Sequence, residues 1–139
     1  MNSKNTPAPS LVRSRVHWIQ IQGQPVLMID FNHSTPAESL AMLDELDRVF
    51  EGQALKSVRA LSDLTEVVYD PSVSQRWKSA LLKYSPYMRA SASYGATGLA
   101  VVATMAAIEL LEWFQIPVLG GRIRLFKNKE KALAWLLKD

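Results

Sequence analysis

The sequence predicts an α/β domain: a mixed, mostly parallel sheet of five strands with four helices, in the order β-β-α-β-α-β-α-β-α. Three observations predict it. Short runs of β-branched and aromatic residues alternate with longer runs of helical periodicity. Two helix starts carry a capping residue followed by proline, Thr35-Pro36 and Asp70-Pro71. And 48% hydrophobic residues spread over 139 positions are enough for one core without a second domain.

The elements follow in order. Arg15-Val-His-Trp-Ile-Gln-Ile21 and Val26-Leu-Met-Ile-Asp-Phe31 are rich in strand formers and flank Gln22-Gly-Gln-Pro25, which predicts an opening hairpin. The second run is apolar on both faces up to Asp30, as a central, doubly covered strand is. At Thr35-Pro36-Ala37-Glu38, threonine caps, proline fits the first helical position and glutamate closes a capping box. Leu40, Leu43, Leu46, Val49 and Phe50 then recur at helical spacing until Gly52 offers a stop. Ser57 to Leu64 reads as the third strand. Asp70 opens a second helix with the stripe Val73, Trp77, Ala80, Leu81 and Tyr84, ending near Ser85-Pro86. Met88 to Tyr94 predicts a strand of small residues, Gly95-Ala-Thr-Gly98 a turn, and Leu99 to Gln115 a third helix. Gly120-Gly121 leads into the alternating strand Arg122 to Phe126, and Asn128 caps a last helix through Leu137. Trp77 and Trp135 fall on the sheet-facing stripes and are expected to be buried.

Composition narrows the chemistry. There is no cysteine, which removes disulfides, thiol nucleophiles and cysteine-ligated metals. Residues 1–11 are polar and proline-containing with no apolar core, so they read as a frayed tail rather than a secretory signal, ahead of a single domain over 12–139. The expected location is the cytoplasm. The net charge of +3 is unevenly spread: residues 1–70 carry six Lys/Arg against nine Asp/Glu, and residues 71–139 carry ten against four. The basic residues are scattered and lack interleaved aromatics, so the reading is a solvated surface and no nucleic-acid platform.

The string Pro86-Tyr-Met-Arg-Ala-Ser-Ala-Ser-Tyr-Gly-Ala-Thr-Gly-Leu99 precedes an apolar run. Arg124-Leu-Phe126 and Ala132-Leu-Ala-Trp-Leu136 close the chain, and Val58-Arg-Ala-Leu-Ser-Asp-Leu-Thr65 lies upstream. Together they resemble the bacterial STAS-like (SpoIIAA-like) domain family, whose roles are largely unassigned, over roughly residues 12–138. The resemblance implies that fold and a non-enzymatic module working through contact with another protein or a bound ligand. Anti-sigma-factor antagonists of this fold carry a phosphorylatable serine in an Asp-Ser-Ser-Gly segment at a helix start. The nearest match is Asp70-Pro71-Ser72-Val73-Ser74, with proline in place of the first serine and no glycine following.

Ser72 and Ser74 are therefore phosphorylation candidates, since a helix's first turn favours an anion; the plain alternative is polar residues at a helix start. Gly95, Thr97 and Gly98 form a candidate anion or ligand loop, set against a structural turn, because the run lacks a P-loop lysine and a third dinucleotide-binding glycine. Asp30 and Asp63 are expected to end neighbouring strands, where α/β sheets hold ligands, but without the adjacent acidic pair of a Mg²⁺ or phosphoacceptor site. His17 and His33, the two histidines, have no ligand partner nearby in sequence, so no metal is expected. No Gly-x-Ser-x-Gly elbow occurs. The expectation is a protein without catalytic residues or cofactor.

The segment Leu99 to Ile116 is apolar on nearly every face, save Glu109 and Glu112. Those carboxylates argue against a membrane span. The surplus face, with Met105, Ile108, Leu111 and Trp113, is the expected interaction surface, against a protein partner, a second copy in a homodimer or an apolar ligand, with a well-buried core helix as the plain alternative. Two functions stay open: a regulatory or scaffolding module that associates with itself, and a carrier or sensor of an apolar, lipid-like molecule, its pocket lined by this apolar segment and by Ala90, Ser91, Ala92 and Ser93.

Overall fold

A computed structural model describes residues 15–68, 70–97 and 123–138. Its strands are β1 (Val16–Ile21), β2 (Gln24–Asp30), β3 (Val58–Asp63), β4 (Met88–Tyr94) and β5 (Ile123–Phe126). Its helices are α1 (Pro36–Phe50), α2 (Pro71–Tyr84) and α3 (Lys129–Leu136), with a 3₁₀ turn at Ser85–Tyr87. The sheet runs β1-β2-β3-β4-β5, with β1 antiparallel to β2 and every other pairing parallel. The mixed, mostly parallel sheet of five strands matches the expectation. Three α-helices stand among the described residues where the sequence predicts four; the remaining one, Leu99 to Gln115, lies outside them.

Local chemistry sets the helix starts. Thr35 Oγ1 accepts from the Glu38 amide at 3.2 Å while Glu38 Oε1 accepts from the Thr35 amide at 2.9 Å, so two donors that the first turn leaves orphaned are satisfied reciprocally. Asp70 Oδ1 accepts from the Val73 amide and Asn128 Oδ1 from the Lys131 amide, both at 2.9 Å.

Strand alternation divides the sheet into two faces. One face carries Leu27, Ile29, Ala60 and Met88 under α1 and α2, joined by Leu43, Leu46, Phe50, Trp77, Leu81 and Tyr84. The other carries Val26, Leu61, Ala90 and Ala92, with Ala132 and Leu136 of α3 on it. Trp77 is 8% exposed, as its stripe predicts. Trp135 departs from expectation. Ala132 and Leu136, one turn apart, take the sheet-facing line of α3 and leave Trp135 half-buried beside it. Its ring packs 5.6 Å from Phe126, with the Arg124 guanidinium 5.8 Å from its centroid. On α1 the buried line runs through Ser39, Met42, Leu43, Leu46 and Phe50, and Leu40 is only half-buried. Ser39 is tolerated there because its hydroxyl pairs with that of Ser34 at 2.8 Å.

The two helices are clasped where they end. Asp47 of α1 receives Arg76 Nη2 at 3.0 Å and Lys83 Nζ at 3.2 Å, both from α2. The Tyr84 hydroxyl lies between that carboxylate and the Leu43 carbonyl oxygen, 3.1 Å away, and its ring stacks on Phe50 at 4.5 Å. Burial alone would raise the Asp47 pKa, but the Tyr84 and Lys83 hydrogen bonds and the Arg76 charge outweigh it and hold it below the ordinary range.

Candidate functional site

The parallel strands β2, β3 and β4 end at one rim, and their register places Asp30 beside Asp63 and Asp63 beside Tyr94. Asp63 organises the rim. Its Oδ1 accepts from the Thr65 amide at 2.9 Å and the Thr65 hydroxyl at 2.6 Å, and its Oδ2 lies 3.4 Å from Asn32 Nδ2. Asp30 Oδ1 accepts from the Asn32 amide at 2.9 Å, and Arg15 Nη1 donates to the Asp30 and Asn32 carbonyl oxygens, each at 3.0 Å. The carboxylates expected at neighbouring strand ends are thus brought together, and both are engaged in bonds that shape the loops. The Tyr94 hydroxyl pKa is pushed up to about 12, first by burial, then by the Asp63 charge and hydrogen bond and by the charges of Asp30 and Glu130.

The β2–α1 and β3–α2 loops run side by side above this cluster. Phe31 N donates to Asp63 O at 2.9 Å, His33 N to Thr65 O at 2.9 Å and Val68 N to Ser34 O at 3.1 Å. His33 and Glu66 face each other from the two loops, Nε2 to Oε2 at 3.4 Å, with side chains 61% and 71% exposed. The other His33 ring nitrogen meets Asn32 Oδ1. Both residues hold left-handed backbone, φ 55° and 49°, a conformation that favours glycine and costs other residues about 1–2 kcal/mol. Val68, beyond Glu66, is half exposed.

Ser72, exposed in the first turn of α2, donates its hydroxyl to Asp70 Oδ1 at 2.8 Å. A phosphoryl group there would share the helix N-terminus with the Asp70 carboxylate and be repelled by it. Ser74 is half-buried, and its amide donates to the Asp70 carbonyl oxygen at 3.0 Å. Gly95 follows β4 at φ 83° and meets the β3–α2 loop: a Cβ there would fall on Thr65 Oγ1, with Thr65 N at 3.2 Å. That close approach accounts for the glycine as a structural turn. Thr97 is exposed beyond it; Gly98 and the expected surface of Met105, Ile108, Leu111 and Trp113 lie outside the described residues. His17 is exposed on β1, apart from the loop that carries His33. Among the described residues no three of His, Asp or Glu are disposed to hold a metal ion, and no helix is long and apolar enough to cross a membrane.

The four small residues expected to line one pocket part company. Ser91 and Ser93 face α1 and α2, where with Ser62 they border a cavity of about 30 Å³ also walled by Phe50, Trp77 and Tyr84. Ala90 and Ala92 sit on the opposite face against α3. Alternation from Ala90 to Ser93, beyond the irregularity at Arg89, is the reason. Sequence reasoning did not single out Arg15, Asn32, Glu66 or Tyr94. Tyr94 alone had a signal, since it occupies the same strand-end position as Asp30 and Asp63.

No protein-family model matches the chain, and no curated protein matches it. Among solved structures it is similar to an uncharacterised protein of the DUF3478 family with a SpoIIAA-like fold, from Shewanella loihica PV-4. The two are 23% identical, superpose with a TM-score of 0.60, and the match covers 87% of this chain and 91% of that one. At that identity the likeness concerns the fold. The chain has a SpoIIAA-like α/β fold, as its motifs imply.

Proposed function

We propose that this chain is a non-catalytic regulatory or scaffolding module that associates with itself and engages a partner protein through the rim at the carboxyl ends of β2, β3 and β4. One observation carries the reading: His33 and Glu66 keep large, exposed, mutually aligned side chains on backbone that favours glycine. Gln22 and Lys56 hold the same backbone in plain turns, so it is the alignment of the two side chains across neighbouring loops, together with that backbone, that supports a contact role. Behind them, Asp30 and Asp63 are engaged in loop-shaping hydrogen bonds, which suits a rigid contact surface better than a reaction centre. Ser72 donates its hydroxyl to Asp70 Oδ1, the same oxygen that caps the helix start at the Val73 amide. Among the described residues, the cavity that Ser91 and Ser93 border, about 30 Å³, has room for a water or two and not for a lipid-like molecule, which supports the module over the carrier.

A photo-activated cross-linking residue placed at Glu66 or Val68, in cells, tests the rim. Discrete adducts to one protein from these positions, and none from Gln53 beyond the far end of α1, are expected. Equal labelling from both places contradicts the rim. Phosphatase, esterase or nucleotide hydrolysis that vanished in Asp63→Asn or Ser72→Ala would overturn the non-catalytic reading.

A further inference from the structure

We propose that the outer edge of β1 is the seam through which two copies of this chain join, their sheets continuing into one another across a two-fold axis. This rests on the self-association proposed above and locates it. β1 is the end strand of the sheet, and its inner side pairs with β2 in unbroken register from Val16↔Ile29 to Ile21↔Gln24. The alternate N–H and C=O groups of an end strand point outward and are open to another strand. Folded proteins blunt such edges with lysine, proline, a bulge or brevity.

The two edges of this sheet are treated differently. β5, at the far side, is four residues long and carries Arg124, with Lys127 directly after it. β1 has six residues, Val-His-Trp-Ile-Gln-Ile, with no lysine, arginine, acid, proline or bulge. Trp18 at its middle is 43% exposed, between an exposed His17 and the half-buried Ile19. Among the described residues no strand pairs with its outer side.

Outward backbone groups select an extended strand as occupant, and the side chains select a second copy. A two-fold axis normal to the sheet sets β1 antiparallel to itself and keeps each face on its own side. Trp18 then meets Trp18, or Ile19 meets Ile19, and no like charges oppose across the axis.

The test is sedimentation velocity of the full chain at micromolar concentrations, wild type against the double variant Trp18→Lys/Gln20→Lys, with circular dichroism to show that the variant remains folded. Both side chains are exposed, and lysines on both copies would repel at the axis. The expected result is a wild-type dimer and a folded variant whose association is weaker by tenfold or more. A variant that dimerises as tightly as wild type overturns the seam while leaving self-association intact; splitting by Met105→Glu would then place the seam on the apolar segment instead. A wild type that remains monomeric overturns both the seam and self-association, and β1 amides protected from exchange in that monomer would show the edge covered by its own chain.

Discussion

Gly95→Ala separates a structural turn from an anion loop. The added methyl meets two costs. At φ 83° an alanine loses about 1–2 kcal/mol relative to glycine. Its Cβ would also overlap Thr65 Oγ1, and that hydroxyl cannot simply swing away, because it donates to Asp63 Oδ1 at 2.6 Å. Moving it forfeits a hydrogen bond to a charged group, about 1.5–3 kcal/mol. The loss in chemical denaturation is therefore expected at about 2.5–5 kcal/mol with an unchanged denaturant slope. In a Thr65→Ala background the overlap with Oγ1 disappears, and Gly95→Ala should cost less than in the wild type: the backbone share of about 1–2 kcal/mol, plus whatever the close contacts to the residue 65 amide and Cβ, at 3.2 and 3.3 Å, still add. Inorganic phosphate should raise the midpoint of neither protein. A loss below about 1 kcal/mol, or full additivity of the two changes, would refute the packing argument. Stabilisation of the wild type by phosphate that Gly95→Ala abolished would restore the anion loop.

Trp77→Ala should cost about 3–5 kcal/mol in the same assay, because the indole fills the space between α2 and the sheet; a loss below about 1 kcal/mol would move it out of the core. Tyr94 keeps its proton to about pH 12 in the folded chain but releases it near 10.0 when unfolded, so its share of stability is present below pH 10 and lost as the pH rises through 12. Tyr94→Phe should flatten that alkaline decline, and an unchanged decline would contradict the Asp63 and Asp30 environment described. Asp47 has the opposite sign: its folded pKa lies below the unfolded value near 3.8, so its stabilisation is full above that pH and is lost as pH falls further. Asp47→Asn should remove that part of the acid-induced loss, measured as stability against pH.

The fold was legible where local chemistry is self-sufficient. Thr35-Pro36 with Glu38, Asp70-Pro71 and Asn128 each cap a helix with the side chain the sequence suggests, because a cap is completed within four residues. Asp30 and Asp63 were legible as neighbouring strand ends for a similar reason, since strand lengths set the rim. What periodicity could not supply was rotation. It could not tell which line of α3 faces the sheet, so Trp135 was misplaced in favour of Leu136; the period of a strand, by contrast, does separate Ala90 and Ala92 from Ser91 and Ser93, and grouping all four as one pocket lining overlooked it. The rim was the least legible part. Left-handed backbone at His33 and Glu66 is imposed by two loops bonded to each other, a long-range fact that neither residue's neighbours encode.

The central claim is that the rim side chains serve a partner and not the fold, and the denaturation free energy of His33→Gly/Glu66→Gly tests it most directly. Glycine relieves left-handed backbone at two positions, about 1–2 kcal/mol each, against about 0.5–1 kcal/mol each for the added freedom of the unfolded chain. The exposed contact between His33 and Glu66 that is lost contributes little. The account predicts a variant as stable as the wild type or more so. A loss exceeding about 2 kcal/mol, well beyond the entropic cost of the two glycines, would show that the pair is kept for the fold and would contradict the account.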